Sequence, residues 1–155
     1  MELDLLDHSS PAISERESLV QLQQRMEQET HLHIIPPVEH AFIPGIYSRE
    51  ILIPEGALVA GRIHKGEHLS VISLGIVQVV EENLFTGEIN YKTYMAPCRF
   101  HSPAGTKRMV YAISDTVWTT FHKYEGLPDP DGIEDVFTCP DRETWATQFL
   151  KGESS

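Results

Sequence analysis

The sequence predicts a mainly β fold, a sandwich or barrel of short strands, and three observations carry that prediction. Seven short runs rich in β-branched residues, at 49–53, 57–64, 69–73, 76–81, 90–95, 107–113 and 116–123, follow one another between residues 46 and 124. Turn signals such as "PEG", "KGE" and "FTGE" separate them. Helical periodicity, in contrast, is confined to one stretch before the runs and one after them. Many short strands at such spacing are the pattern of a sandwich or a barrel.

The elements follow in chain order. Residues 1–12 have no period. In "SERESLVQLQQRMEQET", Ser14 and Glu17 then stand in the relation of a capping box, where each side chain satisfies the other residue's free backbone donor, so a helix starts there. Leu19, Leu22 and Met26 form its apolar stripe, with Val20 beside it, and the rest is Gln, Glu and Arg. So thin a stripe needs a surface to lie on, the protein's own barrel or a second subunit. The strand runs come next, then the loop "EGLPDPDGIEDVF", and a short helix over about 141–150 puts Trp145 and Phe149 on one face. The organisation read from this is an N-terminal arm and helix over 1–45, a barrel over 46–124, and a C-terminal loop and helix over 125–155 packing on the barrel.

At 155 residues the chain has the size of one domain with one core. Its formal charge of -11 sets up a negative field that repels phosphate backbones and anionic lipid, and no basic patch offsets it, so neither nucleic acid nor membrane is an expected partner. No apolar run reaches the length of a membrane span, and "MELDLLDHSS" lacks the basic start and apolar stretch of a secretion signal, which points to the cytoplasm. Cys98 and Cys139 fit no metal-ligand spacing and read as reduced thiols. There is no Gly-rich phosphate loop, no nucleophile elbow and no CxxC, which removes the main support for hydride transfer, kinase and hydrolase chemistry.

Chemistry concentrates in "GALVAGRIHKGEHLSVISLG". Strand alternation over 57–64 predicts Leu58, Ala60, Arg62 and His64 on one face, and after the "KGE" turn His68 heads the next strand. Two imidazoles at the facing ends of paired strands can converge on one point, as a metal site or a polar pocket requires. The segment resembles the first motif of the cupin superfamily, the RmlC-like jelly roll, with Gly56, Arg62, His64, His68 and Gly75 in register. "PAGTKR" is similar to the second motif through Pro103, Gly105 and Arg108, although Pro97 stands where a glycine is expected and Ala112 where the motif ends in Asn. The matches span about half the chain and imply a double-stranded β-helix. More narrowly, "PGIYSREILIPEG", "SPAGTKR" and "DTVWTTFH" resemble small cupin-like proteins encoded by bacteriophages and prophages.

The departures define the candidate site. A metal-binding cupin offers three His and one Glu, and the matching slots here hold Arg62, His64, His68 and Arg108. A guanidinium has no lone pair and repels a cation. One reading is therefore an internal pocket of Arg62, His64, His68 and Arg108, with Tyr111 beside them, binding a small anionic molecule through bidentate hydrogen bonds. A second is a dioxygenase- or isomerase-type enzyme with iron, manganese, nickel or zinc on His64, His68 and a third histidine: His122 first, His101 or His40 otherwise. A third is a virion component or host-interaction protein that uses the jelly roll as scaffold. A homodimer or larger homo-oligomer is expected, with a phage or host protein as a further partner. Glu67 reads as a residue of a solvated turn, and His31 and His33 as edge-strand histidines. Of Arg49 and Glu50 only one can enter the pocket, because adjacent strand residues face opposite ways. Trp118 shares a face with Thr120 and His122, so the three point inward together or not at all.

Overall fold

A computed structural model describes residues 36–150 of the chain. The helix predicted at 14–30 and the pair His31 and His33 lie outside the described residues. Ten strands come first: β1 (Val38–Ile43), β2 (Gly45–Ile53), β3 (Leu58–Ala60), β4 (Ile63–His64), β5 (His68–Leu74), β6 (Ile76–Asn83), β7 (Ile89–Met95), β8 (Cys98–Ser102), β9 (Thr106–Ala112) and β10 (Thr116–Tyr124). A short helix α1 (Ile133–Phe137), the two-residue strand β11 (Thr138–Cys139), helix α2 (Arg142–Trp145) and a π-helical turn (Ala146–Leu150) follow.

The strands form two facing antiparallel sheets, ordered β1-β2-β10-β5-β8 and β3-β9-β6-β7, and β4 pairs with β11. All but one of the connections from β2 to β10 that join these two sheets carry the chain across from one to the other; only β6 to β7 stays within a sheet. With β3 and β4 counted as one strand, the eight strands from β2 onward read 1-8-3-6 in one sheet and 2-7-4-5 in the other, which is the double Greek key of a jelly roll. β1 adds an edge strand to the first sheet, using residues that the sequence places in the arm.

Alternation explains why the sandwich closes. Ile53, Ile72, Val77, Val79, Val110 and Trp118 project between the sheets into one apolar core. The turn from β5 to β6 depends on Gly75: its φ is +100°, and a Cβ there would lie 2.4 Å from the Asp115 carbonyl oxygen and 2.4 Å from Thr116 Oγ1. A glycine at this motif position is thus a steric requirement of the β5–β6 and β9–β10 turns meeting.

The run 57–64 is not one continuous strand, and this corrects the expected face. Leu58 packs on the outside of the second sheet with Val80 and Met109, whereas Val59 joins the core. The break falls at Gly61, whose N–H donates to the Arg108 carbonyl at 2.8 Å, so close that a Cβ would meet that oxygen at 3.2 Å. Past this pinch the chain re-enters as β4, and Arg62 and His64 face the interior on their own terms.

At the C-terminus, Asp141 caps α2 by accepting from the Thr144 N–H at 2.8 Å. Trp145 stacks on Phe149 at 4.3 Å and, with Ile63 and Cys139, makes a second small core that ties this segment to β4. Among the described residues no helix is long and apolar enough to cross a membrane.

Candidate functional site

The inward-facing residues change character along the barrel. On β10 they run Trp118, Thr120, His122; on β5, Ile72, Ser70, His68; on β2, Ile53, Ile51, Arg49, Tyr47; on β9, Ala112, Val110, Arg108. The pairings align these series, since Trp118 lies opposite Ile51 and Ile72, and Thr120 opposite Arg49 and Ser70. One end of the barrel is therefore an apolar core and the other a polar chamber. A cavity of about 350 Å³ opens in the polar end, within the range of small-molecule sites.

Arg62, His64, Arg108 and His122 line this cavity. His68 sits directly behind them, its ring 4.2 Å from that of His64 and 4.9 Å from that of His122. Tyr111 is a correction: it lies on the outer face of the second sheet, packed with Leu58, Val80 and Met109, because strand alternation turns it away from its neighbours Val110 and Ala112. Trp118, Thr120 and His122 point inward together and are all buried. Arg49 was missed as a site residue. It lines the cavity, while its neighbour Glu50 faces out and accepts from Thr119 Oγ1 at 3.4 Å. The inward phase of β2, readable from Ile51 and Ile53, is the signal that would have found it.

The two cations in the motif slots are already engaged. The guanidinium of Arg108 is buried, donates from Nη2 to Ser102 Oγ at 2.9 Å and lies with Nε 3.3 Å from Glu81 Oε1, which also accepts from the Tyr94 hydroxyl at 2.7 Å. It rests against the rings of Phe100 and Trp118, 5.4 and 5.5 Å from their centroids. Arg62 reaches the C-terminal segment, donating to Thr138 Oγ1 at 2.8 Å and pairing with Glu134 at 3.0 Å and Asp135 at 2.6 Å. Arg49, by contrast, makes no hydrogen bond or ion pair with any other described residue.

The imidazoles are neutral at pH 7. Burial pushes His64 well below its ordinary value, and His68, Arg108, His122 and Arg49 add to the shift. Burial brings His68 down to about 4, against the opposing hydrogen bond from its Nδ1 to the Gly66 carbonyl and with Arg108 and His101 nearby. His122 falls to about 3 through burial first, then His68 and Arg49. Both neutral rings and permanently charged guanidinium groups thus face one space, and two buried ring nitrogens, His64 Nδ1 and His68 Nε2, have no hydrogen-bond partner.

Neutral imidazole is the form a metal needs, but the arrangement does not suit one. A metal lies near the plane of each ring that binds it, about 2.0 to 2.1 Å from the nitrogen. The three rings here pack on one another as stacked neighbours, at interplanar angles of 28° for His64–His68, 23° for His68–His122 and 9° for His64–His122 and with centroids 4.2, 4.9 and 6.0 Å apart. Among the described residues no group of three or more His, Cys, Asp or Glu side chains is arranged to hold a metal ion. The substitute third ligands lie elsewhere: His101 is exposed and pairs with Glu67 at 2.8 Å, and His40 Nδ1 is hydrogen-bonded to the Tyr47 hydroxyl at 2.7 Å.

No family model matches the chain, and no curated protein matches it. Among solved structures it is similar to an RmlC-like cupin family protein with a double-stranded β-helix fold from Methanocaldococcus jannaschii, at 13% identity over 59% of this chain and 82% of that one, with a TM-score of 0.47. It is also similar to a cupin superfamily protein from Desulfitobacterium hafniense, at 11% identity over 56% and 77% with a TM-score of 0.45. KdgF from a Halomonas species matches at 17% identity over 62% and 81%, with a TM-score of 0.45. The strand order stands independently of these likenesses: in fold, the protein is a jelly roll.

Proposed function

We propose that the protein binds a small organic carboxylate in the polar end of its barrel, with Arg49 as the guanidinium that receives it. The observation carrying this reading is the contrast among the three cavity arginines: Arg108 is matched by Glu81 and Arg62 by Glu134 and Asp135, while Arg49 faces the same space without a partner among the described residues. A half-buried cation gains from a fork-shaped acceptor, and a carboxylate matches the guanidinium bidentately. The neutral imidazoles of His64 and His122 add polar edges to the wall without adding charge, and Val59, Val110 and Trp118 supply apolar surface for the remainder of a small ligand. The anion pocket read from the motif slots thereby keeps its place and exchanges its principal cation.

The test is a thermal shift series with propionate, succinate and benzoate on the wild type and on Arg49→Gln. A ligand at a hundred times its Kd stabilises by about 2.7 kcal/mol, several degrees in Tm for a chain this size. The wild type should show that rise and Arg49→Gln should not. Stabilisation that survives the substitution would remove Arg49 from the explanation.

A further inference from the structure

The segment after the barrel forms part of the cavity wall. Glu134, Phe137 and Thr138, from α1 and β11, line the cavity opposite the barrel strands. Besides the pairing of β11 with β4, three sets of contacts hold this strap in place. Phe137 stacks on Tyr47 at 5.2 Å and an interplanar angle of 10°, and lies 4.5 Å from His122. The Lys65 N–H donates to the Phe137 carbonyl at 2.8 Å, and Lys65 Nζ to the Asp135 carbonyl at 2.7 Å. Arg62 grips Glu134, Asp135 and Thr138 at once. Upstream, residues 125–132 are exposed along their whole length; downstream, Cys139 is anchored in the small core with Ile63 and Trp145.

The charges carry the inference. Arg62 and Arg49 line the same cavity, so a carboxylate drawn in by Arg49 arrives within the field of a second guanidinium already holding two carboxylates of the chain itself. Those pairs are partly open to water, with side-chain exposures of 30% for Arg62, 49% for Glu134 and 79% for Asp135, and ion pairs of that kind are weak and readily exchanged. We propose that the strap is an internal competitor: Glu134 and Asp135 occupy Arg62 as stand-ins for the ligand's carboxylate, and an entering carboxylate takes Arg62 from them and loosens the strap from β4. This rests on the carboxylate-pocket reading and adds to it a means of coupling occupancy to the state of the C-terminal segment.

The experiment measures binding of succinate and benzoate by titration calorimetry to the wild type, to Glu134→Gln/Asp135→Asn and to Arg49→Gln, with hydrogen exchange of the Lys65 amide read in the absence and presence of saturating ligand. The double variant should bind about three- to tenfold more tightly than the wild type. Ligand should accelerate exchange of the Lys65 amide, whose acceptor is the strap's own Phe137 carbonyl. Equal or weaker binding by the double variant, or slower Lys65 exchange on binding, would overturn the competitor while leaving an Arg49-dependent pocket standing. Failure of the wild type and of the double variant to bind either carboxylate would remove the pocket and the competitor together. Should the double variant lose its fold by circular dichroism, Asp135→Asn alone, at the more exposed position, carries the same comparison.

Discussion

Lowering the pH from 7.5 to 5.0 should cost the protein a large part of its stability, and the size of the loss follows from two buried imidazoles. His68 and His122 titrate at about 4 and about 3 in the fold, against 6.5 in an unfolded chain. Between those values the unfolded chain takes up protons that the folded one refuses, so their contribution is complete above pH 6.5 and is lost as the pH falls toward the folded values. At pH 5.0 the distance below 6.5 is 1.5 units, worth about 2 kcal/mol per imidazole at about 1.36 kcal/mol per unit, or about 4 kcal/mol for the pair. Both side chains are 5% exposed, so solvent screens little of this. His64, shifted the same way, adds to the loss. Against a total of about 5 to 15 kcal/mol for a typical domain, the effect is unmistakable. The assay is urea unfolding followed by tryptophan fluorescence at the two pH values, in EDTA, with the slope m compared to confirm that the same transition is observed. Equal stability at both pH values would show that the two imidazoles are not held neutral by the fold. So would an undiminished loss in His68→Gln/His122→Gln.

Other perturbations separate the scaffold from the site. Arg108→Ala should destabilise by about 1.5 to 3 kcal/mol by leaving the largely buried Glu81 carboxylate to the Tyr94 hydroxyl and Lys92 alone, and adding Glu81→Gln should recover part of it, both measured by chemical denaturation. Gly75→Ala should sharply reduce the yield of folded protein, because the new Cβ falls within 2.4 Å of backbone and side-chain oxygens at a φ of +100°; a normal melting curve would contradict the steric argument. Benzoate should change the emission of Trp118, which lines the cavity, and leave that of Trp145, in the separate small core, as it was. Trp145→Phe isolates the signal, and a response carried by Trp145 alone would place the ligand elsewhere.

The barrel was legible because its cause is local. Burial alternates residue by residue through most of β5 and β10, as strand geometry requires, and the coupling of Trp118, Thr120 and His122 followed from spacing alone. The glycine register of the motif carried through for the same reason, since Gly75 answers to a steric demand of its own turn. What escaped the sequence depends on contacts between distant segments. The strand break at Gly61 is imposed by the backbone of Arg108, 47 positions away, so unbroken alternation over 57–64 assigned Leu58 to the wrong face. Tyr111, named among the pocket residues, stands three positions from Arg108, and an odd step along a strand reverses the face. The engagement of Arg62 by Asp135, 73 positions downstream, has no local signature at all, and neither does the absence of such a partner for Arg49. Charge at a motif position was visible in the sequence; whether that charge is already neutralised was not.

In the proposed complex, Arg49 receives a carboxylate inside the polar end of the barrel. A crystal structure of the protein grown with succinate tests it most directly. An elongated feature is expected in the cavity, with two oxygens about 2.7 to 2.9 Å from the Arg49 guanidinium nitrogens. A chamber closed by the side chains of Val59, Val110 and Phe137, or succinate seated on the outer face of either sheet with Arg49 untouched, would contradict it.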